Sequence, residues 1–190
     1  MNHPELVIGV TGGIAAYKTA YLVSRLVQSG AGVSVVMTEA AEHFVGRATF
    51  SALTGRLVYT DMFGEDEFPL GAHIGLAERA KLLCVAPATA DFLAQAAHGL
   101  AHDLLSTLML SFAGPVLLAP AMNKEMWSKP AVQRNVEQLR SDGMTIVDPE
   151  EGWLSCRQVG AGRMAEPDRI YEAIRTTLEK NGERGMGNGE

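Results

Sequence analysis

Short, nearly uninterrupted apolar runs punctuate this chain, and longer stretches with apolar positions three or four apart lie between them. Residues 6–10, 33–37, 82–86 and 116–119 are of the first kind. Runs of this length bounded by Gly, Pro or Thr predict strands covered on both faces, as in a parallel sheet. Residues 57–59 and 144–147 predict two further short strands. The stretch 14–29 is of the second kind, with apolar Ile14, Ala15, Leu22, Leu26 and Val27, and Gly30 is a good stop. Similar spacing predicts helices from Ala40, through 49–53, and over 76–81, 91–97, 104–111, 131–141 and 168–179. Residues 61–71 and 148–167 show no period and read as loops. The stretch 181–190 carries four glycines and predicts a disordered tail.

Strands alternating with helices imply one α/β domain over residues 1–180. Its expected form is a three-layer Rossmann-like (flavodoxin-like) fold, a mostly parallel sheet with helices on both faces. Each β-loop-α-β crossover should be right-handed.

Composition narrows the functional classes. The chain has 190 residues, 47% of them hydrophobic, enough for one sizeable core. Sixteen basic and twenty-two acidic residues give a net charge of −6, and no basic run suggests a nucleic-acid partner. No apolar stretch is long enough to span a bilayer, and residues 1–5 do not resemble a secretory signal. The two cysteines, Cys84 and Cys156, predict a reducing compartment, the cytoplasm. Cys84 sits in an apolar run and reads as core, whereas Cys156 lies in a polar, Gly-rich segment. The histidines show no metal-ligand spacing, so no metal is expected.

In an open α/β sheet, ligands collect beyond the carboxyl ends of strands. Several strands here end in small or hydroxylic residues. Thr11-Gly12-Gly13-Ile14 joins a strand to a helix and lets the backbone approach an anion, although it matches neither common phosphate-loop spacing; a tight turn explains it equally well. Thr38 ends the second strand. Ala88-Thr89-Ala90 follows Pro87 and suits a flat ring edge or a helix cap. Thr107 sits in a hydroxyl-bearing helix start. Together these strand ends suit a nucleotide-like cofactor. After Pro120, Ala121-Met122-Asn123 presents an amide, which either caps the next helix or reads a substrate carboxylate. His73, beyond the acidic loop, is either a surface residue or an acid/base. The segment 152–164 is long and Gly-rich, as lids often are, with Cys156 near its centre beside Arg157.

Five stretches together resemble the flavin-dependent cysteine decarboxylases: Gly12 to Lys18, His73 to Ala77, Ala86 to Ala90, Pro120 to Trp127, and Cys156 to Met164. The resemblance covers nearly the whole chain and is nearest to members acting on 4′-phospho-N-pantothenoylcysteine in coenzyme A biosynthesis. It implies FMN, with Gly12, Gly13, Ile14, Thr38, Ala88, Thr89, Ala90, Thr107, Ala121 and Met122 on the cofactor side. It implies that His73 is the active-site base, that Asn123, Met126 and Arg163 meet the substrate, and that Cys156 supplies the last proton. It implies trimers, or dodecamers built from trimers, with sites shared between subunits, and no membrane partner. The implied activity is decarboxylation to 4′-phosphopantetheine. Alternatives are a lantibiotic-type peptidyl-cysteine decarboxylase, which generally lacks the loop cysteine, a flavin prenyltransferase, and a non-catalytic flavin-binding regulatory subunit. Ser155 and Arg157 depart from the Ala and Gly that usually flank the loop cysteine. Many bacterial members also continue into a synthetase domain.

Overall fold

The computed structural model describes residues 4–63, 71–153, 157 and 159–186. In chain order the elements are β1 Glu5–Val10, α1 Ala16–Gln28, β2 Gly32–Met37, α2 Glu39–Glu42, α3 Arg47–Thr54 and β3 Val58–Tyr59. Then come α4 Ala72–Arg79, β4 Leu82–Ala88, α5 Ala90–Ala97, α6 Leu104–Ser111, β5 Val116–Pro120 and α7 Lys124–Trp127. The chain continues through α8 Pro130–Ser141, β6 Thr145–Ile146, β7 Glu150–Trp153, β8 Val159–Arg163 and α9 Pro167–Met186.

Six strands form one parallel sheet in the order β3-β2-β1-β4-β5-β6. This is the three-layer, Rossmann-like and flavodoxin-like architecture the pattern predicts. Strand side chains alternate between faces, so β1 sends Leu6, Ile8 and Val10 into one core and Val7 into the other. The first core contains Leu22, Leu26, Phe50, Ile170 and Ile174 from α1, α3 and α9. The second holds Leu93, Leu105, Leu108 and Leu139 from α5, α6 and α8. Fully burying one such Leu or Ile is worth roughly 1.5–3 kcal/mol, which explains why the apolar runs specify the sheet. β1 pairs with both β2 and β4. Chain order reverses there, so the loops after β1 and β4 diverge and open a crevice.

Three expectations change. Residues 148–167 are not a plain loop, because β7 and β8 form an antiparallel pair. Their sequences, Glu-Glu-Gly-Trp and Val-Gly-Ala-Gly-Arg, lack alternation and are poor in β-formers. His73 belongs to the first turn of α4 rather than to a loop, since the helix starts after Gly71 at φ 101. α9 continues through Met186, past residue 181 where an irregular tail was expected. Extending an existing helix is far cheaper than nucleating one. α9 is held on α1 through Ile170 and Ile174, the Arg25–Asp168 ion pair, and Arg25 stacked 4.3 Å from the Tyr171 ring centroid.

At the amino end of β1, Arg56 grips Glu5 with a two-pronged contact, 2.6 and 3.0 Å. The hydrogen bond from Arg56 holds the Glu5 carboxyl below the usual range; partial burial opposes this, and the charges of Arg56 and Arg79 add to it. A lowered folded pKa gives stability that is present above the unfolded pKa and lost as pH falls through the folded one. Both side chains are more than a third exposed, 38% and 40%, so solvent screening limits the effect. Glu5→Gln should therefore cost only about 0.5–1 kcal/mol at neutral pH. The difference from the parent should shrink as pH falls below the ordinary glutamate range and vanish once pH is below the lowered pKa of Glu5. Melting curves across pH 3–7 check this; a gap that persists in acid would show that the charge is not responsible.

Candidate functional site

The crevice is a cavity of about 770 Å³ at the carboxyl edge of the sheet, a size typical of small-molecule sites. Its wall is built from the strand ends. Thr11 to Ala15 follow β1, Thr38 follows β2, Thr89 and Ala90 follow β4, and Ala121 to Asn123 follow β5. The β7–β8 hairpin closes one side with Trp153, Gly162, Arg163 and Met164.

Pro120 and Pro87 cannot donate to a ladder, and β4 shifts register between Val85 and Ala88. The carbonyls released there are taken up from across the crevice. Thr19 Oγ1 donates to Ala86 O at 2.6 Å, and Thr11 Oγ1 donates to Pro87 O at 2.7 Å. Thr11 Oγ1 also accepts from Thr89 N at 3.1 Å. Buried hydroxyls thus hold the β1 and β4 loops at fixed separation.

The first loop turns through Gly13 N to Thr11 O and Ala16 N to Gly13 O. The amides of Gly12, Ile14 and Ala15 make no hydrogen bond among the described residues. They precede a helix start, and unpaired amides there form an anion cradle. Gly12 is required by close approach, because a Cβ there would lie 2.4 Å from Ala40 Cβ. Thr38 caps α2 without a side-chain bond, and its buried Oγ1 has no hydrogen-bond partner among the described residues.

Asn123 is the helix cap that one of the two sequence readings expected, and it also stands on the cavity wall. At the start of α7 its Oδ1 accepts from Met126 N at 2.8 Å. The cap consumes the oxygen, so the amide nitrogen is the group left to donate. The hairpin is seated on the same turn. Met122 N donates to Gly162 O at 2.9 Å, and Gly162 has φ +121 with Met122 O 2.4 Å from where a Cβ would stand. Only glycine fits there.

Of the residues named from the sequence, Gly12, Gly13, Ile14, Thr38, Thr89, Ala90, Ala121, Met122, Asn123, Met126 and Arg163 come together on the cavity wall. Ala88 is instead fully buried within β4. Thr107 faces away, its hydroxyl donated to Asp103 O at 2.7 Å, and Asp103 stands on the wall in its place. His73 is also off this wall; its buried Nδ1 has no hydrogen-bond partner among the described residues. Cys156 lies outside the described residues. Arg157 has φ 62, a left-handed conformation that suits glycine better than arginine. Among the described residues, no three His, Cys, Asp or Glu side chains are grouped to hold a metal ion. No helix among them is long and apolar enough to cross a membrane.

Sequence reasoning did not single out Lys18 or Gln95 as wall residues. Lys18 had a signal, since it occupies the inward stripe of α1 with Leu22 and Leu26. Its side chain is 8% exposed and pairs with Glu166 at 3.0 Å.

A parallel α/β sheet with an amide cradle and a half-apolar cleft at its switch point defines a cofactor-binding domain of the Rossmann-like class. The chain belongs to the Flavoprotein family, whose model matches residues 1–179. It is 46% identical over 172 residues to the coenzyme A biosynthesis bifunctional protein CoaBC of Bacillus subtilis, covering 90% of this chain and 42% of that protein. It is 41% identical to the CoaBC protein of Haemophilus influenzae, covering 92% of this chain and 44% of that one. The chain therefore spans less than half the length of these relatives. Among solved structures, the FMN-dependent cysteine decarboxylase SpaF superposes with TM-score 0.83 at 37% identity, covering 93% of this chain and 96% of that one. A PPC decarboxylase bound to pantothenoylaminoethenethiol gives TM-score 0.83 at 28% identity, covering 94% and 100%.

Proposed function

We propose that this chain binds FMN and decarboxylates 4′-phospho-N-pantothenoylcysteine to 4′-phosphopantetheine, as a step of coenzyme A biosynthesis in the cytoplasm. The observation that carries the reading is the shared cavity wall, where the free amides of Gly12, Ile14 and Ala15 meet Asn123, Met126 and Arg163. The residues suit FMN. The amide cradle fits its phosphate, the unpartnered Thr38 hydroxyl is a spare polar contact, and small Ala90 and Ala121 admit a flat ring. When bound, FMN supplies the two-electron oxidation of the thiol-bearing carbon and the return of those electrons after carbon dioxide leaves.

The chain's own residues bind, orient and move protons. Asn123 donates to the cysteinyl carboxylate, and Met126 packs beside it. Arg163 holds the substrate from the hairpin side. His73 is the base and Cys156 the final proton donor. His73 lies off the cavity of its own chain, which supports a homotrimer, or a dodecamer of trimers, in which it completes a neighbour's site. Exposed Ile14, Tyr17 and Tyr21 beside the first loop support the same reading, at 53%, 60% and 58% exposure.

The purified yellow protein should convert the substrate to carbon dioxide and the saturated thiol, read by mass spectrometry. Absence of turnover with flavin bound would remove the reading. The likeness to SpaF favours a second one, a decarboxylase of other cysteinyl substrates that stops at the enethiol. That product is lighter by two hydrogens. Cys156→Ser should also stop there, with the yellow colour bleached after one turnover; normal multiple turnover would exclude Cys156 as the donor.

A further inference from the structure

One carboxylate oxygen ties two parts of the cavity wall together. Glu166 Oε1 accepts from Lys18 Nζ at 3.0 Å and from Arg163 Nη2 at 2.5 Å. Lys18 stands in the first turn of α1, directly after the Gly12–Gly13 loop, and its Nζ also reaches Met164 O at 3.4 Å. Arg163 ends β8, and its side chain crosses the facing strand at Gly152, where a Cβ would stand 2.9 Å from Arg163 Cδ. Glu166 itself is anchored, its N donating to Glu150 Oε1 at 3.4 Å at the foot of β7. An isolated two-stranded hairpin is marginal in water. Beside this cluster, the polar attachments of β7–β8 to the rest of the chain include Met122 N to Gly162 O and the Arg169–Glu150 ion pair at 3.5 Å.

We infer that Glu166 is a positioning residue, a latch that fastens the β7–β8 hairpin to α1 and thereby holds Arg163 at the cavity rim. The inference rests on the decarboxylase reading only for its effect on substrate. Lys18 is nearly buried and Glu166 half-exposed, 8% and 45%. Neutralising Glu166 would leave two cations together, one of them buried, a costly arrangement that hairpin detachment relieves. A ligand that needs the docked hairpin then binds more weakly in proportion to the docked fraction, with the chemistry unchanged once it is bound.

The test is hydrogen exchange on the full chain as purified, with Glu166→Gln beside the double variant Lys18→Met/Glu166→Gln. In Glu166→Gln, amides of 150–153 and 159–163 should exchange about tenfold faster while those of β1, β4 and β5 keep their protection. KM for 4′-phospho-N-pantothenoylcysteine should rise about tenfold with kcat and the flavin spectrum unchanged. The double variant also removes Lys18, the buried one of the two stranded cations, so it should fold even if the single one does not, and it should show the same loosened hairpin. Unchanged hairpin exchange in both variants, or faster exchange throughout the sheet, would overturn the latch. Exchange is read without turnover, so a loosened hairpin in a chain that never acts on the substrate sinks the decarboxylase reading and leaves the latch standing.

Discussion

Gly162→Ala is expected to abolish turnover while leaving the six-stranded sheet folded. Two costs coincide at this position. The backbone sits at φ +121, beyond the left-handed region that even Asn tolerates, and holding an L-residue there costs about 1–3 kcal/mol. The added methyl would also stand 2.4 Å from Met122 O, a backbone atom that cannot swing aside as a side-chain end would. Relief requires β8 to lift from the turn, which breaks the Met122 N to Gly162 O bond. Arg163, the next residue, then leaves the cavity wall, and Asn123 loses its backing. A misplacement of about 1 Å is worth roughly 100-fold in rate, so the loss should be at least about that large. The cores contain neither β7 nor β8, so the melting temperature should fall by only a few degrees. Steady-state turnover beside a thermal melt measures both. Retained activity would mean that the hairpin need not be seated for catalysis.

Asn123→Ala should lower turnover at a small cost in stability, and Asn123→Asp should separate the reasons. The Oδ1 bond to Met126 N at 2.8 Å is an N-cap on a helix of only four residues. Its loss costs about 0.5–2 kcal/mol, a drop of several degrees for a domain of this size. If the amide nitrogen donates to the substrate carboxylate, activity should fall about 10- to 150-fold, the size expected for a charge-assisted hydrogen bond. Aspartate keeps the cap acceptor but replaces the donor with a negative charge. Its melting temperature should match the parent while its activity stays low. Recovery of activity in Asn123→Asp would show that the side chain serves only as a cap.

Much of the architecture was legible because a parallel sheet covered on both faces writes itself as continuous apolar runs. Residues 6–10, 33–37, 82–86 and 116–119 need no partner information to be read as strands, and the Gly, Thr and Pro that end them locate the cavity edge. Sequence therefore determined the layers, the single sheet and most of the wall, from Gly12 to Met126. The resemblance motifs supplied the chemistry, which neither spacing nor composition could have named. Tertiary structure decided the rest. The β7–β8 hairpin carries no alternation and exists because Gly160 and Gly162 let it press against residues 122–124. Thr107 looks like a cavity hydroxyl, but its own helix claims it through Asp103 O, and an Asp stands on the wall instead. His73 reads as a loop residue, but it lies in the first turn of the helix that starts after Gly71 and is not on this chain's cavity wall. Lys18 and Glu166 lie 148 positions apart and meet only because α1 and the β8–α9 turn share one sheet edge. Local pattern reports which side chains are buried; it cannot report which buried or half-buried polar groups will face one another, because that depends on how the loops fold back over the sheet.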